Sequence, residues 1–188
     1  MVQEEKCLGQ TARVRAQAHR ALIHWWKEDL ESPAAGPETV DAIRHHLRHW
    51  VRRRHGVLTF RMTQVLNGHG CFGKYLHKIA RREVTPAYHE CGAPIDTARH
   101  TLEQCAAWGP QRHAPVAVIG GDLSLSSVVR CMLGSERCWS AVASFCEEVM
   151  ALKEAAERER EADANANPFR RRRPGGRRRR YALLHPPQ

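Results

Sequence analysis

Cys91, His100 and Cys105 set two thiols and an imidazole at C-x8-H-x4-C spacing. Thiolate sulfur and imidazole nitrogen are the donors zinc takes in tetrahedral sites, with short loops between paired ligands. Four residues separate His100 from Cys105, a spacing at which one helical turn can present both. Gly92, directly after Cys91, lets the backbone fold over a metal. In a C-x2-C pair the first ligand would lie three residues before Cys91. That position is Tyr88, and a phenol is a poor zinc ligand. His89 stands next to it and could replace it, although His89-x-Cys91 is a tighter bite than a two-residue spacer. The pattern predicts a compact Cys/His site for zinc with three ligands in place and the fourth open.

A second chemistry is carried by cations. The formal charge is +10, and two four-arginine runs supply eight of those charges. The first run is Arg170, Arg171, Arg172 and Arg173; the second is Arg177, Arg178, Arg179 and Arg180. Subtracting those eight leaves +2 for the rest of the chain. The two runs flank Pro174-Gly-Gly and read as a nucleic-acid patch or nuclear-localisation signal. Arg52, Arg53 and Arg54 continue a His/Arg face that begins at Arg44, and Lys74 and Lys78 line a later short helix. Such cations neutralise phosphates and give salt-dependent, sequence-tolerant affinity. His69 and His77 have no acid partner or nucleophile at a recognisable spacing, so they read as turn and helix-face histidines rather than catalysts.

Helices must position these groups. Residues 4–31 carry an apolar stripe (Leu8, Ala12, Ala18, Leu22, Trp25, Trp26, Leu30) at helical period, and Ser32-Pro33 to Pro37 breaks it. Thr39 caps a second helix with Val40, Ile43, Leu47, Trp50 and Val51 on one face. A third helix spans 58–66, with Leu58, Met62, Val65 and Leu66 inward. A fourth spans 71–80, with Phe72, Tyr75, Leu76 and Ile79 inward. Asp96 caps a helical turn through His100. Residues 109–121 are ambiguous between helix and strand because of Pro110 and Pro115. Ser124 or Ser126 opens a helix ended by Gly134, and Ser135 caps the last. In that helix Cys138, Trp139, Val142, Phe145, Cys146, Val149 and Met150 form an apolar face, and the periodicity fades after Leu152 into a solvated helix. The tryptophans on these stripes read as core, with Trp108 open to packing or stacking.

These elements predict a mainly α protein. Residues 1–84 form an N-terminal helical part, 85–108 a zinc-knuckle-like segment, 109–160 the C-terminal helices, and 161–188 a disordered arginine-rich tail, too polar to order itself. No run of eighteen apolar residues predicts a membrane span, and the N-terminus has no apolar segment of a signal peptide. Seven cysteines without a secretory signal read as reduced thiols, with Cys138 and Cys146 as small buried hydrophobes.

Several blocks raise the specificity of this reading. They are Arg53-Arg-His-Gly-Val-Leu-Thr-Phe60, Leu66-Asn-Gly-His-Gly-Cys-Phe72 with Tyr75-Leu-His77, Asp96-Thr-Ala-Arg-His-Thr-Leu-Glu-Gln-Cys105 followed by Trp108, Gly121-Asp-Leu-Ser-Leu125, and the arginine-rich end. In this order the chain resembles the C-terminal region of reverse-transcriptase polyproteins from insect non-LTR retrotransposons that insert into ribosomal RNA genes. The resemblance covers most of residues 20–181. It implies a knuckle in which Cys91, His100 and Cys105 take the second, third and fourth ligand places and Tyr88 takes the first. A single base substitution converts a Cys codon to Tyr, as expected of a decaying element copy.

The resemblance implies a nucleic-acid-binding accessory region of a reverse transcriptase, with RNA or DNA and the element's own polymerase portion as partners, zinc as cofactor, and a nuclear, including nucleolar, location. No enzyme activity is expected. A polymerase needs carboxylates to hold two metal ions, and neither that aspartate block nor an endonuclease motif is present, so the chain reads as the tail of a larger protein opening at an internal methionine. No small-molecule substrate or membrane partner is expected. Two alternatives stay open: a non-functional translated remnant, and a helical protein-interaction module.

Overall fold

The computed structural model describes the backbone of residues 2–170 and the side chains of residues 10–170. The described residues are mainly helical and contain no strand. In chain order the helices are α1 (Val2–Asp29), α2 (Pro37–Arg44), α3 (Leu47–Arg52), α4 (Phe60–Asn67), α5 (Gly73–Lys78), α6 (Ala98–Glu103), α7 (Gly109–Ile119), α8 (Leu125–Gly134) and α9 (Glu136–Ala162), with a 3-10 turn at Ala106–Trp108. No helix among the described residues is long and apolar enough to cross a membrane.

α9 is the central post. Ser135 caps it by accepting from the Cys138 N–H, and its face packs against α4, α7 and α8, while α2 packs on α8. Trp139, Val142, Phe145, Cys146, Val149 and Met150 are buried in one core with Met62, Val65, Phe72, Val128, Val129 and Met132. Each such side chain contributes about 1.5–3 kcal/mol of burial. Tyr88, Leu102, Cys105 and Trp108 join the same core, so the Cys/His segment packs into the helices rather than standing beside them. Ser124 opens α8 by accepting from the Ser127 N–H, as expected. The ambiguous stretch becomes α7, with Pro115 inside it.

Several expectations are corrected. The predicted second helix breaks at His45–His46 into α2 and α3, and Val51 lies exposed. Ile79 is 67% exposed, just past the end of the short α5, whereas Phe72 and Leu76 are buried and Tyr75 is partly buried against the core. α1 forms, but it meets the other helices chiefly at α3, so Trp25 is 59% exposed and Ile23 alone of its large apolar side chains is buried among those described. Thr97, not Asp96, caps α6 by accepting from the His100 N–H. The end of α9 is not a solvated helix throughout: Lys153 and Glu157 are buried. It runs to Ala162, and Arg170 is buried too, so residues 161–170 do not share the disorder expected of 161–188. Residues 171–188 lie outside the described residues. A disulfide joins Cys131 to Cys138 across the α8–α9 corner, with Cα atoms 5.8 Å apart, a separation disulfides favour. Cys71, Cys91, Cys105 and Cys146 are free.

The block Arg53–Phe60 has a structural function. The Arg53 guanidinium lies over the Trp50 and Trp139 rings, 4.8 and 5.0 Å from their centroids, and donates to the Trp50 carbonyl. His55 Nε2 bonds the Met132 carbonyl at 2.9 Å, and Trp139 Nε1 donates to the Val57 carbonyl at 3.2 Å. Gly56 (φ +79°) sits so close under the indole that a Cβ there would lie 2.1 Å from Trp139 Cδ2. Together these contacts lock the α3–α4 connection to α9.

Candidate metal centre

Three local structures deliver the three donors. Residues 88–93 form a tight turn: the Gly92 N–H donates to the Tyr88 carbonyl at 3.0 Å and the Tyr88 N–H to the Ala93 carbonyl at 2.9 Å. Gly92 adopts φ +69°, a conformation that favours glycine. This turn carries Cys91. α6, started by the Thr97 cap, carries His100 in its middle. Cys105 follows at the helix end, where its N–H donates to the His100 carbonyl at 2.8 Å. Arg112 of α7 donates to the Thr101 and Cys105 carbonyls, which pins that end of α6.

The outcome is convergence. The ligating atoms of Cys91, His100 and Cys105 all lie within 4.8 Å of one another, and Cys91 Sγ is 3.3 Å from His100 Nε2. Zinc bond lengths place neighbouring tetrahedral donors about 3.4–3.8 Å apart, so a small contraction closes this set on an ion. Cys91 is at the surface and Cys105 is buried. Burial, together with the hydrogen bond its S–H donates to Cys91, pushes the Cys105 thiol above its ordinary range. A bound metal would reverse that, since coordinated thiols are held deprotonated. The group could hold a metal ion, and its sulfur–nitrogen donor set is of the soft type that zinc accepts.

Tyr88 occupies the first ligand place as a core residue. It is 4% exposed, tilted against Trp108 and edge-on to His100, each at 6.3 Å between ring centroids. Burial, with the Asp96 carboxylate nearby, raises its phenol far above the usual range. Its oxygen is buried without a hydrogen-bond partner. The other face of its ring is covered by Lys153, whose Nζ lies 3.7 Å from the centroid.

His89 does not complete the set. Its Nε2 lies 3.2 Å from Glu83 Oε2 and 3.1 Å from Arg170 Nη2, and it is outside the converging group. The short spacer to Cys91 turns the imidazole away, which corrects the expectation that it replaces Tyr88.

The loop around the centre is held by a buried ion pair. Lys153 Nζ sits 3.0 and 2.9 Å from the two Asp96 carboxylate oxygens, fully inside the protein. Asp96 Oδ2 also accepts from the Gly73 N–H, and the Asp96 carbonyl from the Lys74 N–H. Burial lowers the Lys153 pKa and the Asp96 charge opposes that shift. The sequence signal was available: Lys153 and Glu157 fall on the stripe of Val149 and Met150 at helical spacing.

The expected phosphate-binding cations divide. Arg52 and Arg54 are exposed, and Lys74 and Lys78 are exposed along α5. Arg53 is committed to the two indoles. Arg170 is buried by Glu83 and Glu157, and its carbonyl accepts from Arg82. This corrects its assignment to the basic tail, because its guanidinium is spent inside the protein. The rest of the first run (Arg171, Arg172, Arg173) and all of the second (Arg177, Arg178, Arg179, Arg180) lie outside the described residues.

Compared with known proteins, the chain matches no family model, no curated protein and no solved structure.

Proposed function

We propose that the chain is a nucleic-acid-binding region, the C-terminal accessory part of a non-LTR retrotransposon reverse transcriptase, with no polymerase or endonuclease chemistry of its own and a nuclear place of action. The observation that carries the reading is the convergence of Cys91, His100 and Cys105 from a glycine turn and a capped helix into a group that could hold a metal ion. In this proposal Cys91, His100 and Cys105 hold zinc with a fourth ligand from outside the Cys/His set, and the ion fixes the turn against α6. Arg52, Arg54, Lys74 and Lys78, with the seven arginines from Arg171 to Arg180, then neutralise phosphates while the knuckle orients the strand.

Titrating the purified full chain with labelled RNA and DNA tests this. Affinity is expected to fall roughly tenfold or more between about 50 and 300 mM salt. A flat salt response, or no binding, would overturn the reading. Exposed Trp25, Val57 and Phe60 favour a second reading, a helical protein-interaction module. Native mass spectrometry showing a stable homodimer without zinc would select it.

A further inference from the structure

A cavity of about 630 Å³ opens between α2, α4, α5 and α6, within the range of roughly 300–1,000 Å³ common for ligand sites. Tyr75 and His69 line it as a ring pair, with centroids 4.7 Å apart and planes tilted by 34°. Val65, Leu66 and Leu102 supply apolar floor. Lys74 and Lys78 stand on the rim, exposed and in no ion pair among the described residues. The acids of the lining are partly spent: Glu103 pairs with Arg99, and Asp41 with Arg44 and His45. Glu38 is left as an acceptor facing the cavity.

The groove shares its walls with the metal centre. α6 gives His100 to one side and Arg99 and Leu102 to the other. The Lys74 N–H bonds the Asp96 carbonyl at the root of the Cys/His loop. An aromatic pair in a concave apolar pocket with lysines at its mouth is how unpaired bases are held: the ring stacks on the base and the cations follow the backbone. Paired bases inside a duplex cannot reach such a pocket.

We infer that this groove takes unpaired bases of a single-stranded nucleic acid, stacked on Tyr75 and His69, with Lys74 and Lys78 on the flanking phosphates. Glu38 lines the same cavity and can accept from a base N–H, the N3–H in uracil or thymine. The inference rests on the nucleic-acid reading above and names the strand state and the subsite.

The test is fluorescence anisotropy on the full chain with labelled oligo-uridine RNA, oligo-thymidine DNA and a duplex of matching length. The variants are Tyr75→Leu, His69→Ala and the double Lys74→Ala/Lys78→Ala, each checked by thermal melting. His69 is exposed, so its variant keeps the test alive if Tyr75→Leu does not fold. Wild type is expected to prefer either single strand over duplex. The aromatic variants should reduce that preference about tenfold with an unchanged salt slope. The lysine pair should make the slope of log affinity against log salt less steep by about 1.4. If wild type binds nucleic acid and the aromatic variants keep its full single-strand preference, the groove is not a base site, and the broader function survives. Loss in the lysine variant alone would likewise reduce the groove to a phosphate surface and overturn the inference. If wild type binds no nucleic acid, both readings fall together.

Discussion

Tyr88 decides the chemistry of the Cys/His centre. A cysteine there would offer a fourth thiolate; the tyrosine instead fills core between Trp108, His100 and Lys153. Tyr88→Cys therefore has two opposed effects. Without metal it should cost about 3 kcal/mol, since truncating a buried aromatic leaves a cavity. With zinc, the completed set should recover stability, because a ligand bound by the folded state raises it. Thermal melts of wild type and variant, with and without zinc, should show a larger zinc-dependent rise in the variant. Equal rises would mean the wild-type site already closes on the ion by another ligand. Gly56 makes a different demand, close approach beneath an indole. Gly56→Ala should destabilise by about 1–3 kcal/mol through overpacking alone, read as a lower urea midpoint with an unchanged slope.

At the scale of elements, α9 joins the site to the fold. Its apolar stripe ends in Lys153, and this ammonium holds Asp96, which in turn holds the start of α5 and the base of the metal loop. Removing one partner strands the other charge in the interior. Asp96→Ala should cost about 3–5 kcal/mol, and adding Lys153→Met should return much of it, because a buried pair replaced by apolar groups is often close to neutral. Chemical denaturation of the single and double variants checks this. A double variant no better than the single would show that Asp96 matters through its backbone-directed bonds instead. The next turn of α9 works the same way: Glu157 binds Arg170 and Arg160, tying residue 170 to the helix.

For the whole molecule, carboxylates at element junctions set the acid response. A hydrogen bond from the Ser127 hydroxyl, chiefly, lowers the Asp122 pKa, and one from the Thr59 hydroxyl lowers that of Glu147. Both groups bind protons more weakly folded than unfolded. Their contribution is complete above the unfolded carboxylate values of about 3.9–4.3 and is lost as pH falls through the lower folded values. The melting temperature should thus hold from neutral pH to about 5 and decline below about 4. Removing Asp122 (Asp122→Asn) should flatten that decline, and an unchanged profile would exclude it as a contributor. The groove belongs to this scale as well, since it does not exist until α2, α4, α5 and α6 meet.

Much of this was legible from residue order. The final helix, its Ser135 cap and its buried face follow from a 3.6-residue period, because a continuous apolar stripe has one low-energy way to hide from water. The Cys91, His100 and Cys105 set was legible because metal ligands must lie close along the chain when a turn and a helix present them. What local pattern could not decide were pairings between distant positions. Lys153 with Asp96, 57 residues apart, and Arg170 with Glu83 look like solvated charges in sequence, since any charge reads as exposed until a partner is found. Trp25 and Ile79 look like core, since periodicity shows that a face is apolar but not whether another element arrives to cover it. His89 looks like a fourth ligand until the turn aims it at Glu83. Local sequence determined the helices and the three metal donors. Tertiary structure decided which charges are buried, which apolar faces stay open, and that the tyrosine in the first ligand place is part of the core.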